Sequence, residues 1–115
     1  MKSIRSRWFL ILLPWLVIWS GLVRAEAPVI LVLGDSLSAG YGIPAEQGWV
    51  NLLQRRLTER GFPHQVINAS ISGDTTSGGL SRLPAALERY RPVLVILELG
   101  ANDGLRGQPP MAMAT

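Results

Sequence analysis

PVILVLGDS, Pro28 to Ser36, runs apolar from Val29 to Leu33 without interruption, passes through a glycine and turns polar on Asp35 and Ser36. A strand with one face in water alternates apolar and polar residues. A continuous run belongs to a strand covered on both faces, the habit of a central strand in a parallel sheet. PVLVILELG, residues 92–100, repeats the pattern. Between these runs, Trp49, Leu52, Leu53 and Leu57 recur at helical spacing across WVNLLQRRLTER, with Gln54, Arg55, Arg56 and Glu59 opposite and Gly61 placed to end the helix. HQVINAS, residues 64–70, reads as another short strand. GGLSRLPAALERY, residues 78–90, reads as a second helix with a Leu80, Leu83, Leu87 stripe that Pro84 is expected to kink or restart.

The order β-α-β-α-β, with connections long enough to hold helices, requires parallel strands joined by right-handed crossovers. The expected fold is α/β, a doubly wound, flavodoxin-like, three-layer parallel sheet. The chain supplies its N-terminal half, about three strands and two helices. At 115 residues it is one domain at most, with a thin core.

Residues 1–25 read differently from the rest. Lys2, Arg5 and Arg7 precede an uncharged apolar stretch, WFLILLPWLVIWSGLV, that closes on Arg24-Ala25-Glu26-Ala27. This is the layout of a secretory signal peptide. Cleavage is expected after Ala25 rather than Ala27, because Pro28 would follow the second cut. A retained membrane anchor is disfavoured, since ~20 apolar residues are needed to cross a bilayer and Pro14 interrupts this run. The expected location is periplasmic or secreted, with no stable membrane span after cleavage. The formal charge of +3 is concentrated in the leader. Its loss leaves seven basic against eight acidic residues, which removes the main support for a nucleic-acid partner. There is no cysteine, hence no disulfide, thiolate nucleophile or cysteine-held metal.

In sheets of this type ligands bind beyond the carboxyl ends of the strands. All three strands end in polar, glycine-rich clusters: Gly34-Asp35-Ser36, Asn68 through Ser72-Gly73-Asp74, and Gly100-Ala101-Asn102-Asp103. No lysine makes a phosphate-binding loop of the first, it lacks the dinucleotide fingerprint, and Ser38 stands where a G-x-S-x-G elbow needs its second glycine. Taken singly, Ser36 reads equally as a helix N-cap, Gly73 as a turn and Asn102 as a loop cap. Asp35, Asp74 and Asp103 admit a carboxylate cluster for Mg²⁺, but hydrogen bonding to turn N–H groups is the favoured role, and no metal or cofactor is expected. Arg82 and Arg106 read either as anchors for an anionic head group or as solvated surface.

The three clusters together resemble the SGNH, or GDSL, hydrolases, and in particular their secreted bacterial thioesterases, lysophospholipases and arylesterases. GDSLSAGYG is similar to the first block of that family, NASISGDTTSGGLSRLP to the second and ELGANDGLRG to the third, over roughly residues 29–110. Ala101 replaces a common glycine. The resemblance implies Ser36 as nucleophile, with Gly73 N–H and the Asn102 amide joining Ser36 N–H as donors to an oxyanion. It implies small-molecule acyl esters or thioesters as substrates. The family's base and its aspartate come from a D-x-x-H block, and this sequence contains none. The one histidine, His64, falls at the start of the second strand and is expected to be an exposed loop or strand-edge residue. Residues 26–115 therefore read as the N-terminal part of such a domain, inactive and poorly folded alone. A non-catalytic acyl- or carbohydrate-binding module is the alternative.

Overall fold

A computed structural model describes residues 26–114; the signal-peptide reading of 1–25 lies outside them. Three strands, β1 (Val29–Gly34), β2 (Gln65–Asn68) and β3 (Leu94–Glu98), form one parallel sheet in the order β2-β1-β3. The α/β class and the first three strand positions of a flavodoxin-like order are as expected. β1 is central, and Ile30 through Leu33 form the core with Val50. Val29 pairs with Gln65 and Ile30 with Leu94, which brings the carboxyl ends of all three strands to one edge.

Two long helices occupy the crossovers. Among the described residues there are also three short α-helices that the sequence reading lacks: α1 (Ser36–Ala39), α4 (Ala101–Leu105) and α5 (Pro110–Met113), with α2 (Trp49–Glu59) and α3 (Thr76–Tyr90) as the long pair. Four or five residues are too few to show a helical period. In α2 the inward face is Val50, Leu53, Gln54 and Leu57, whereas Trp49 and Leu52 are exposed. The stripe is rotated from the expected one because Gln54 faces β2: its Oε1 accepts from Val66 N–H at 2.7 Å and its Nε2 donates to the His64 carbonyl at 3.0 Å. The side-chain amide thus mimics a neighbouring strand along the outer edge of β2. Gly61, at φ 78°, ends the helix as expected.

α3 begins at Thr76, earlier than expected, because the Thr75 hydroxyl accepts from Gly78 N–H at 3.2 Å and caps it. Pro84 neither breaks nor restarts the helix. It lies on the exposed side, where water can serve the Leu80 carbonyl deprived of its partner. Gly79 is the residue of α3 that is buried, and a Cβ there would collide with Leu99. Leu80 and Leu87 remain exposed. β3 also departs from expectation: among the described residues no strand pairs with its outer side, and Leu94 and Leu97 are exposed.

Candidate active site

β1 carries Asp35 and Ser36 to the edge where the strands end. Asp35 is buried, and its Oδ1 accepts from Leu37 N–H at 2.9 Å, capping α1. The cap is therefore Asp35, and Ser36 is the first helical residue. The difference matters chemically, because a capping hydroxyl would be occupied. Among the described residues Ser36 Oγ has no hydrogen-bond partner. The turn closes on Gly40, at φ 78°, whose N–H reaches the Ser36 carbonyl at 3.1 Å.

Gly73 follows β2 on a loop and has φ 81°, a conformation that side chains resist. Nothing lies within 4 Å of the position a Cβ would take, so the backbone angle, and not crowding within the described chain, selects glycine here. The Gly73 carbonyl accepts from Arg106 Nη2 at 3.1 Å, and its N–H has no partner among the described residues. Asp74 is fixed on both sides: its Oδ1 accepts from Thr75 N–H at 3.0 Å, and its Oδ2 accepts from Arg82 Nε and Nη2 at 3.0 and 2.6 Å. Arg82 Nη1 also donates to the Ala69 carbonyl at 2.7 Å, so this arginine braces the loop from Ala69 to Asp74. It is neither free surface nor a free anchor. Gly78 leaves room for the Asp74 carboxylate, which a Cβ would strike.

Asn102 sits in α4, immediately after Gly100 and Ala101. Its Nδ2 donates to the Asp74 carbonyl at 2.9 Å and lies 3.4 Å from Asp35 Oδ2. One amide therefore touches the neighbour of Gly73 and the neighbour of Ser36, and the three strand ends share one small volume. Asp103, buried beside it, accepts from Thr76 N–H at 2.8 Å and from the Thr76 hydroxyl at 2.7 Å. The Thr76 N–H is the chief reason its carboxyl is held below the usual carboxylate range; burial opposes this, while the Thr76 hydroxyl, its own N–H and Arg106 add to it. All three acids accept from backbone N–H groups at the starts of α1 and α3, close to the turn-holding role favoured from sequence.

His64 stands apart. It precedes β2, and its neighbour Gln65 pairs with Val29 at the amino end of β1. Ser36 is at the other end, ~20 Å away along the strands. The imidazole is half-buried rather than exposed, edge-on to Phe62 at 6.0 Å, with Nδ1 buried and without a partner among the described residues.

The sequence reading places Asn68 and Ser70 in a strand-end cluster and notes Ser38, but gives none of them a role and does not single out Glu98. Ser38, Glu98, Asn68 and Ser70 tie the strand ends together by hydrogen bonds. One signal was available: Glu98 is the single charge inside PVLVILELG.

The family model for the GDSL-like lipase/acylhydrolase family matches residues 32–115. "Esterase TesA" of Pseudomonas aeruginosa is 58% identical over 87 residues, 76% of this chain and 43% of that protein. "Arylesterase" of Vibrio mimicus is 58% identical over 86 residues, 75% of the chain and 43% of the relative. "Thioesterase 1/protease 1/lysophospholipase L1" of Escherichia coli K12 is 51% identical over 86 residues, 75% and 40% of the two. The chain thus spans less than half the length of these curated relatives. Among solved structures, that of TesA superposes with a TM-score of 0.73 at 56% identity, over 74% of this chain and 47% of the other. AlinE4, an SGNH-hydrolase family esterase, does so with a TM-score of 0.71 at 42% identity, over 78% and 49%.

Proposed function

The chain belongs to the GDSL-like lipase/acylhydrolase family, and from that premise we propose that it supplies the nucleophile and the oxyanion site of a serine ester or thioester hydrolase. The observation that carries this is the Asn102 amide, held between Asp35 and Asp74 with Ser36 on one side and Gly73 on the other. Ser36 Oγ attacks the acyl carbonyl and its proton passes to a base. The carbonyl oxygen gathers charge against Ser36 N–H, Gly73 N–H and Asn102 Nδ2, the alcohol or thiol leaves, and water releases the acid. Asn102 turns its amide from the 3.4 Å contact with Asp35 toward the oxyanion as charge develops.

His64 lies at the amino end of β2, away from Ser36, so the base in this reading comes from a D-x-x-H segment, which this sequence does not contain. Residues 26–115 are in this reading the N-terminal part of the hydrolase domain. Exposed apolar side chains stand near each proposed site residue in the sequence, Leu37, Ile71 and Leu105, and suit an acyl substrate. Esterase, arylesterase and thioesterase/lysophospholipase relatives point to the same class. We place the protein in the periplasm or outside the cell on the strength of the Met1–Ala25 pattern. Among the described residues no helix is long and apolar enough to cross a membrane.

Asn102→Ala, made in a chain completed by the D-x-x-H segment of a relative, tests the assignment. kcat for p-nitrophenyl esters is expected to fall ~10²–10³-fold with KM almost unmoved, the mark of a donor used at the transition state. A large rise in KM with kcat preserved makes Asn102 a ground-state binding residue. Saturation by ester without release of product from the unmutated completed chain favours the acyl- or carbohydrate-binding module.

A further inference from the structure

α1 has only four residues, Ser36–Ala39, and ends on the left-handed Gly40. So short a helix has no stability of its own, since even ~12-residue helices are marginal in isolation. Its orientation, and with it the aim of Ser36, must come from tertiary bonds. Those bonds converge on Ser38. Successive helical residues turn by about 100°, so Ser38 faces roughly opposite to Ser36, and it is 3% exposed. Its Oγ donates to Glu98 Oε1 at 2.7 Å, at the end of β3. Its carbonyl accepts from Asn68 Nδ2 at 2.8 Å, at the end of β2. β1 closes the arrangement from below: Gly34 leaves no room for a Cβ, which would stand 2.6 Å from Ser38 Oγ and 3.0 Å from Glu98 Oε1. Gly34 N–H in turn donates to Ser70 Oγ at 3.1 Å.

We propose that Ser38 and Glu98 are positioning residues for the nucleophile: their hydrogen bond, with the Asn68 amide on the Ser38 carbonyl, clamps the underside of α1 to both neighbouring strands and so fixes the direction in which Ser36 Oγ and N–H point. The inference rests on the reading of Ser36 as nucleophile and adds to it what holds that residue in place. Ser38 touches no substrate and acts only through the helix it shares with Ser36.

The full chain, incubated with a p-nitrophenyl alkylphosphonate and saturating imidazole as soluble base, tests this. Ser36 Oγ bonds to phosphorus, p-nitrophenolate leaves with the electron pair and imidazole takes the hydroxyl proton. Release of p-nitrophenolate gives the rate, and peptide mapping gives the site. Ser38→Ala and Glu98→Leu are expected to slow labelling of Ser36 by ~10²-fold, the effect of an ångström of misplacement. The phosphonate concentration at half-maximal rate should stay the same. Glu98→Gln keeps an acceptor oxygen for Ser38 and should restore most of the rate. Amide exchange at Ala39 and Gly40, whose N–H groups close the turn on Asp35 and Ser36, should quicken in Ser38→Ala but not in Glu98→Gln. Wild-type labelling rates in a folded Ser38→Ala chain, or Glu98→Gln as slow as Glu98→Leu, overturn the proposal. Absence of an adduct on Ser36 in the unmutated chain refutes the nucleophile instead, and unchanged exchange at Ala39 and Gly40 then refutes the clamp as well.

Discussion

β1 and β3 lie side by side, run parallel and are built from the same kinds of residue, yet Leu31 and Leu33 are 0% exposed while Leu94 and Leu97 are 52% and 60% exposed. An unbroken apolar run records what a strand is suited to; its neighbours decide what it buries. β1 has a strand on each side and α3 against it. β3 has β1 on one side only among the described residues, and its leucines contact solvent. The polar ends of the strands differ in the opposite sense. Glu98, the last residue of the poorly covered strand, and Asp103, which follows it, are as well bonded as Asp35, which follows the buried one. The site is knit together more tightly than the sheet edge that carries a third of it.

Substitution separates the two strands most sharply in the core. Leu31→Ala removes a side chain with no exposed surface and should cost about 2–5 kcal/mol, read as a fall in the urea midpoint. A loss under ~1 kcal/mol would mean that the β1 core is not packed as described. Gly34→Ala comes next. Its Cβ would press on Ser38 Oγ and Cβ at 2.6 and 2.8 Å, so a loss of about 1–3 kcal/mol is expected, together with disturbance of α1. Leu97→Ala should change the stability of this chain by no more than about 0.5 kcal/mol, as exposed substitutions do. Repeated in the completed chain, the same substitution sharpens the contrast: a cost approaching that of Leu31→Ala would show that β3 gains cover there.

The smallest effect is electrostatic. Because the Asp103 carboxyl is held low in the folded chain, its contribution to stability is complete above the ordinary carboxylate value of ~3.9 and is lost as the pH falls through the lower, folded value. Asp103→Asn should therefore flatten the acid limb of the urea midpoint below pH ~4 and leave its slope at neutral pH unchanged. An unaltered acid limb would show that the Thr76 N–H does not hold the carboxylate.

Much of this arrangement could be read from the residues alone. Continuous apolar runs disclosed the strands, periodic leucines the long helices, and the polar clusters at strand ends the edge where Ser36, Gly73 and Asn102 gather. What escaped was set by tertiary context. Val50 and Gln54 turn inward in α2 because β2 presents a free edge to the Gln54 amide, a demand that helical periodicity does not encode. Pro84 stays inside α3 because it falls on the solvent side. Asp35 caps α1 in place of Ser36, although both residue types favour that position, because the helix starts one residue earlier than a serine cap would place it. Ser38 and Glu98 are 60 residues apart in sequence and meet only because β1 and β3 are adjacent.

The central claim is that Ser36 is the nucleophile, and the most direct measurement is the site of covalent capture. The chain, completed by the D-x-x-H segment of a relative, is incubated with a p-nitrophenyl alkylphosphonate, digested, and its peptides weighed. The account predicts a single phosphonyl adduct, carried by Ser36 and abolished by Ser36→Ala without a change in the folded state. An adduct on Ser38, Ser70, Ser72 or any other residue, or none after full exposure to the reagent, would contradict it.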